Sequence, residues 1–97
     1  MFRRHDINHG LEVYRQTPNA VLIDVREPEE YSAGHIPGSM NLPLSHIEQI
    51  AFEKDRPLFL YCLRGTRSLR AAGILRKRGY TNVKSIGGIN RYQGQVQ

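Results

Sequence analysis

The chain predicts an α/β domain in which a parallel sheet is covered by helices on both faces. Three observations carry this. Strand-like and helix-like segments alternate along the chain. Ala20-Val21-Leu22-Ile23-Asp24-Val25 and Leu58-Phe59-Leu60-Tyr61 are apolar runs without a polar face, as expected of strands buried on both sides. No repeat, low-complexity tract or linker interrupts the pattern, so residues 1–97 read as one domain.

The elements follow in order. Ile7 begins a short first strand. Asn8 then caps a helix over His9–Gln16, with Leu11 and Tyr14 spaced to face the core. Thr17-Pro18-Asn19 turns into the strand Ala20–Val25. Pro28 suits a first helical position, and Glu29 and Glu30 suit the positive end of that helix, which stops at Gly34. Ser39–Leu42 is a short strand. Ser45 and Glu48 have capping-box spacing and predict a helix over His46–Phe52. Asp55-Arg56-Pro57 turns into Leu58–Tyr61. Beyond the following loop, Ser68, Ala71, Ala72 and Leu75 recur at helical spacing, and small Ala71, Ala72 and Gly73 let that helix lie close to the sheet. Arg76, Lys77 and Arg78 followed by Gly79 end it. Val83–Ile86 is the last strand, Gly87-Gly88 break it, and Ile89–Gln93 form a final short helix.

Size and composition narrow the function. A chain of 97 residues buries about 60–65% of its unfolded surface, enough for one core without staples. The single cysteine excludes an internal disulfide and fits a reducing compartment, most simply cytoplasm. No apolar stretch approaches the ~18 residues of a membrane span. Met1-Phe2-Arg3-Arg4-His5-Asp6 has no apolar run behind it and does not read as a secretory signal. The net charge is +5, with Arg64, Arg67, Arg70, Arg76, Lys77, Arg78, Lys84 and Arg91 gathered in the second half. These basic groups form a solvated helix face or meet an anionic substrate or acidic protein. Nucleic acid is disfavoured, because basic and aromatic residues do not interleave. His5, His9 and His46 have no metal-ligand spacing.

In a parallel α/β sheet, ligands bind beyond the carboxyl ends of the strands. Asp24–Arg26, the loop after Tyr61 and the glycines after Ile86 lie there and should converge on one pocket. The loop runs Cys62-Leu63-Arg64-Gly65-Thr66-Arg67-Ser68. Helix N-termini and nearby arginines favour a thiolate over a thiol, and both are present. If the loop wraps the sulfur, the N–H groups of residues 63–67 form an anion cradle. Gly65 permits a positive φ. Arg67 closes or braces the cradle, Thr66 or Ser68 offers the sulfur a hydroxyl, Arg64 meets substrate or solvent, and Leu63 shapes the rim. Asp24 orients the loop or binds backbone N–H groups at its strand end. Arg26 and Glu30 can pair and fix the following helix. His35 reads as a structural histidine, and Gly87 and Gly88 let the backbone pass close to the loop. The alternative for a lone cysteine, a small buried hydrophobe, is disfavoured by this setting.

These residues resemble a known family. Asp24-Val25-Arg26-Glu27, Glu30-Tyr31, Gly34-His35-Ile36-Pro37-Gly38-Ser39 and Asn41-Leu42-Pro43 are similar to the amino-terminal signature of single-domain rhodaneses. Cys62-x-x-Gly65-x-Arg67-Ser68 is similar to their active loop. Gly79-Tyr80, Asn82-Val83 and Gly87-Gly88 are similar to their closing segment. The resemblance implies a three-layer α/β/α domain with five parallel strands in the order 3-2-4-5-1. It implies a sulfurtransferase in which Cys62 takes the outer sulfur of a small anionic donor such as thiosulfate. Cys62 would hold that sulfur as a persulfide and pass it to a thiol, a sulfur-carrier protein or cyanide. It implies no metal and no organic cofactor. Tyr92 stands where many relatives carry tryptophan, and the last helix is expected to be short. Two other functions are open. One is a cysteine phosphatase, disfavoured because Cys-x4-Arg is one residue short of the Cys-x5-Arg loop that admits a phosphate. The other is a non-catalytic interaction module of the same fold.

Overall fold

A computed structural model describes residues 6–97. The sequence expectations for Met1–His5, including the reading of the terminus and of His5, fall outside them. Helix α1 spans Ile7–Arg15. The predicted strand at Ile7 is absent, and the cap is Asp6 rather than Asn8: the Asp6 carboxylate accepts the Asn8 N–H at 2.9 Å. With the turn nucleated there, Ile7 and Leu11 fall one above the other and bury against the sheet. The Asn8 side chain instead clasps the far end of the chain, donating to the Arg91 carbonyl and accepting the Gln93 N–H. Gly10 is required where α1 crosses the sheet, since a Cβ there would stand 2.5 Å from that of Ile86.

Strand β1 (Val21–Asp24) leads to α2 (Pro28–Ala33), then β2 (Met40–Asn41). The helix expected over His46–Phe52 is a 3₁₀ segment over Leu44–Gln49. Its capping box does not form: Ser45 Oγ pairs with His46 Nδ1, and the Leu44 N–H is tied to the Val25 carbonyl. β3 (Leu58–Cys62), α3 (Thr66–Lys77), β4 (Val83–Gly88) and a closing 3₁₀ turn (Ile89–Arg91), in place of the helix expected to Gln93, complete the chain.

Among the described residues the sheet has four parallel strands, ordered β2-β1-β3-β4. The predicted five-strand order, with its first strand removed, renumbers to this one. The α/β/α class holds, because β3 is buried along its whole length and serves two cores by alternation. Leu58, Leu60 and Cys62 pack with Ala71, Ala72 and Leu75 of α3. Phe59 and Tyr61 pack with Ile7 and Leu11 of α1. Each fully buried leucine or isoleucine contributes about 1.5–3 kcal/mol through removal of apolar surface from water.

A bulge in β4 positions the site. Leu60 pairs with Ser85, but Tyr61 pairs with Gly87, so Ile86 is skipped. The shift brings Gly87 and Gly88 beside the loop after β3. A Cβ on Gly88 would stand 2.2 Å from the Leu63 carbonyl oxygen and 2.6 Å from Arg64 Cα, so only glycine fits.

Candidate active site

Of the three strand-end segments predicted to converge, the loop after β3 and the glycines of β4 line one cavity, whereas Asp24 and Arg26 do not line it and bond each other, Gly34 and Asn41 instead. Cys62 is the last residue of β3, and α3 begins at Thr66. The intervening turn is tight because Gly65 adopts φ 105°, a left-handed conformation that a side chain would strain. It points two amides at the sulfur: the Gly65 N–H donates to Cys62 Sγ at 3.0 Å and the Ser68 N–H at 3.4 Å. The second donor lies just beyond the 63–67 stretch expected to supply the cradle, on the first turn of α3. The thiol in turn donates to Ser68 Oγ at 3.6 Å. Of the two candidate hydroxyls Ser68 is the partner, and the Thr66 side chain is exposed. Cys62 is only 1% exposed, yet its sulfur faces N–H dipoles at a helix N-terminus rather than hydrocarbon alone.

Leu63 is half-buried, and its carbonyl accepts the Asn90 N–H, which ties the loop to the segment after β4. Arg64 is exposed. Arg67 grips Glu30 of α2 through two parallel bonds of 2.7 and 3.1 Å. The hydrogen bond from Arg67 is the main cause that holds the Glu30 carboxyl at about 2, well below its usual value. Glu30 also accepts the Glu27 N–H. The predicted Arg26–Glu30 pair is therefore replaced by two others. Glu30 faces α3 and takes Arg67. Arg26 lies buried against Asp24, which accepts its Nε, its Nη2 and its backbone N–H at 2.8–3.1 Å. Burial opposes the Arg26 charge, but the bonds to Asp24 outweigh it and raise the guanidinium pKa. Arg26 also donates to the Gly34 carbonyl, so this pair anchors the chain leaving α2. Asn41 closes the corner on the Asp24 and Arg26 carbonyls.

His35 stacks on Tyr31 with ring centres 3.8 Å apart, and its Nδ1 meets the Tyr31 carbonyl. It is a structural group. Among the described residues no cluster of His, Cys, Asp or Glu is placed to hold a metal, and no helix is long and apolar enough to cross a membrane.

Sequence reasoning missed two residues at the site. Ser85 of β4 lies 2.7 Å, Oγ to Oγ, from Ser68. Its signal was weak: period-2 spacing puts it on the face of Val83, but only the register against α3 reveals its partner. Asn90 was missed because it acts through its backbone.

The family model for the rhodanese-like domain matches residues 10–95. The chain belongs to the rhodanese-like family. The chain is 46% identical over 81 residues to the uncharacterised protein YqhL of Bacillus subtilis, covering 80% of this chain and 64% of that protein. It therefore spans less than two thirds of that relative. It is 39% identical to the thiosulfate sulfurtransferase GlpE of Pseudoalteromonas translucida, covering 90% and 84% of the two chains. Among solved structures, a rhodanese with anions from E. coli superposes with a TM-score of 0.73 at 32% identity, covering 80% of this chain and 96% of that one. The rhodanese-like fold and the parallel α/β sheet agree with the class expected from the sequence.

Proposed function

We propose that this chain is a sulfurtransferase, with Cys62 as nucleophile and residues 1–97 acting as one domain. The observation that carries the reading is the pair of amides of Gly65 and Ser68 directed at Cys62 Sγ. They favour a negative sulfur and, after loading, an anionic second sulfur held in the same loop. In the first half-reaction the thiolate attacks the outer sulfur of thiosulfate. The new S–S bond forms as the old one breaks, and sulfite leaves with the electron pair. In the second, a thiolate or cyanide attacks the outer sulfur of the Cys62 persulfide and the cysteine leaves as thiolate. Arg64, exposed beside the loop, would attract the donor anion. Leu63 and Thr66 would shape the rim, Gly65 gives the turn, and Arg67 braces it through Glu30. Asp24 and Arg26 hold the supporting corner, while Gly87 and Gly88 admit the closing strand. The name of the GlpE relative supports a thiosulfate donor. The lone cysteine supports a reducing compartment, and the basic second half supports an acidic sulfur-carrier protein as one acceptor. The chemistry asks for no metal or organic cofactor.

Two observations weigh against a phosphatase. The loop has four residues between Cys62 and Arg67, and Arg67 is held by Glu30 rather than free to clamp a phosphoryl group. A non-catalytic module needs neither a complete loop nor a cysteine aligned with its amides. Intact mass after incubation with thiosulfate decides the matter. The parent should gain one sulfur atom, lost again on adding cyanide, and Cys62→Ser should gain none. An unchanged parent mass under non-reducing conditions would leave the module.

A further inference from the structure

Ser68 Oγ is fully buried and meets three groups. It donates to the Gly65 carbonyl at 3.0 Å, receives the Cys62 thiol at 3.6 Å and lies 2.7 Å from Ser85 Oγ. A hydroxyl has one hydrogen to give and two lone pairs to receive. With Ser68 giving to Gly65 and receiving the thiol, the bond to Ser85 closes only if Ser85 is the donor. Ser85 is half-buried and lines a cavity of about 300 Å³ together with Arg64, Gly65, Leu69 and Asn90. From this cavity the Ser85 hydroxyl reaches Ser68, and the sulfur lies one hydrogen bond further on.

When the sulfur is an anion the inventory changes. No S–H remains, and Sγ becomes an acceptor. The single hydrogen of Ser68 then has two possible acceptors, the Gly65 carbonyl and the sulfur. Turning to the sulfur is cheap, because the Gly65 carbonyl also accepts the Leu69 N–H at 3.1 Å and is not orphaned. Ser85 stays as donor to Ser68 in both states. Its donation polarises the Ser68 O–H and strengthens that group as a donor to charge.

We propose that Ser85 is a positioning residue for Cys62, acting through Ser68: it fixes the Ser68 hydroxyl as a two-position donor that faces the Gly65 carbonyl when the sulfur is a thiol and the sulfur when it is an anion. This rests on the reading of Cys62 as a working thiolate. It adds a third, switchable donor to the two fixed amides, and it extends the site to β4.

The test uses alkylation by iodoacetamide, an uncharged reagent with only one thiol in the chain to attack, followed by intact mass across pH. Ser85→Ala should slow alkylation at neutral pH by roughly three- to tenfold, the scale of the one neutral hydrogen bond it removes. Its pH–rate curve should move to higher pH and reach the parent plateau at alkaline pH. Ser85→Thr, which keeps the hydroxyl in a strand, should restore the parent curve. Adding Ser85→Ala to Ser68→Ala should cause no further change. A Ser85→Ala curve that overlays the parent's overturns the proposal. So does a lowered alkaline plateau, which signals altered access, or a double variant slower than Ser68→Ala, which means Ser85 does not act through Ser68. Sulfur loading is not part of this readout, so failure to load from thiosulfate would count against the sulfurtransferase alone.

Discussion

Tyr61 and Cys62 are neighbours in one strand, equally buried at 0% and 1% exposure, and their polar atoms have opposite fates. Tyr61 points to the α1 side. Its hydroxyl receives the Ile36 N–H at 3.0 Å and meets Ser39 Oγ at 3.0 Å. Burial is the main cause that pushes the phenol pKa well up, so the group stays neutral. Cys62 points to the α3 side, where two amides and a rotatable hydroxyl face the sulfur. Burial is common to both. For Tyr61 it outweighs two hydrogen bonds that favour the charged form, whereas the Cys62 sulfur is set against two amides at the start of α3.

Substitutions on either side of the strand put this contrast at risk. The largest effect is expected from Gly88→Ala. The new methyl group collides with the Leu63 carbonyl and the Arg64 backbone, so the loop must shift and the amides lose their aim. Sulfur loading, followed by intact mass, should fall by about 100-fold, the scale of a misplacement near 1 Å. Loading within twofold of the parent would show that the donors are not what sustains the sulfur.

Tyr61→Phe acts on the other face. It leaves the buried Ile36 N–H without its partner, which costs about 1–3 kcal/mol. The melting temperature should fall by roughly 4–8 °C per kcal/mol, while loading stays near the parent rate. A fall in loading with unchanged stability would join the two faces that the fold keeps apart.

Glu30→Gln is the gentlest. The Arg67–Glu30 pair is about one-third exposed on each side, so its loss should cost only ~0.2–1 kcal/mol. Its pH dependence is distinctive. The folded-state carboxyl is lowered from 4.5 to about 2, so the pair's stabilisation is fully present above the unfolded value and disappears as pH falls through the folded one. Melting curves of parent and variant should differ at neutral pH and converge between about pH 4.5 and 2. A constant difference over that range would place the effect elsewhere.

Much of the fold was legible in local pattern. Apolar runs without alternation gave the central strands, and small residues at helical spacing gave the face of α3. What failed failed locally for tertiary reasons. Ile7 looked like a strand start, but the Asp6 carboxylate closes a helical turn there. Ser45 and Glu48 had capping spacing, but the tie from Leu44 to Val25 tightened the segment into a 3₁₀ turn. At the site, the cysteine, its glycine and its serine lie within seven consecutive residues and were readable together. Ser85 and the true partner of Glu30 were not, because each depends on which layer faces which.

Sequence alone carried the buried central strands, the resemblance to the family and the tight Cys62–Arg67 turn, since these depend on neighbours a few bonds apart. Packing decided the rest. Glu30 reaches Arg67 across 37 positions while Arg26 closes on Asp24 two away, and Ser85, opposite Leu60 in the regular part of the ladder, meets Ser68 because β4 packs beside α3. A guanidinium takes the carboxylate that the assembled layers bring within about 3 Å, and no local sequence pattern encodes that distance.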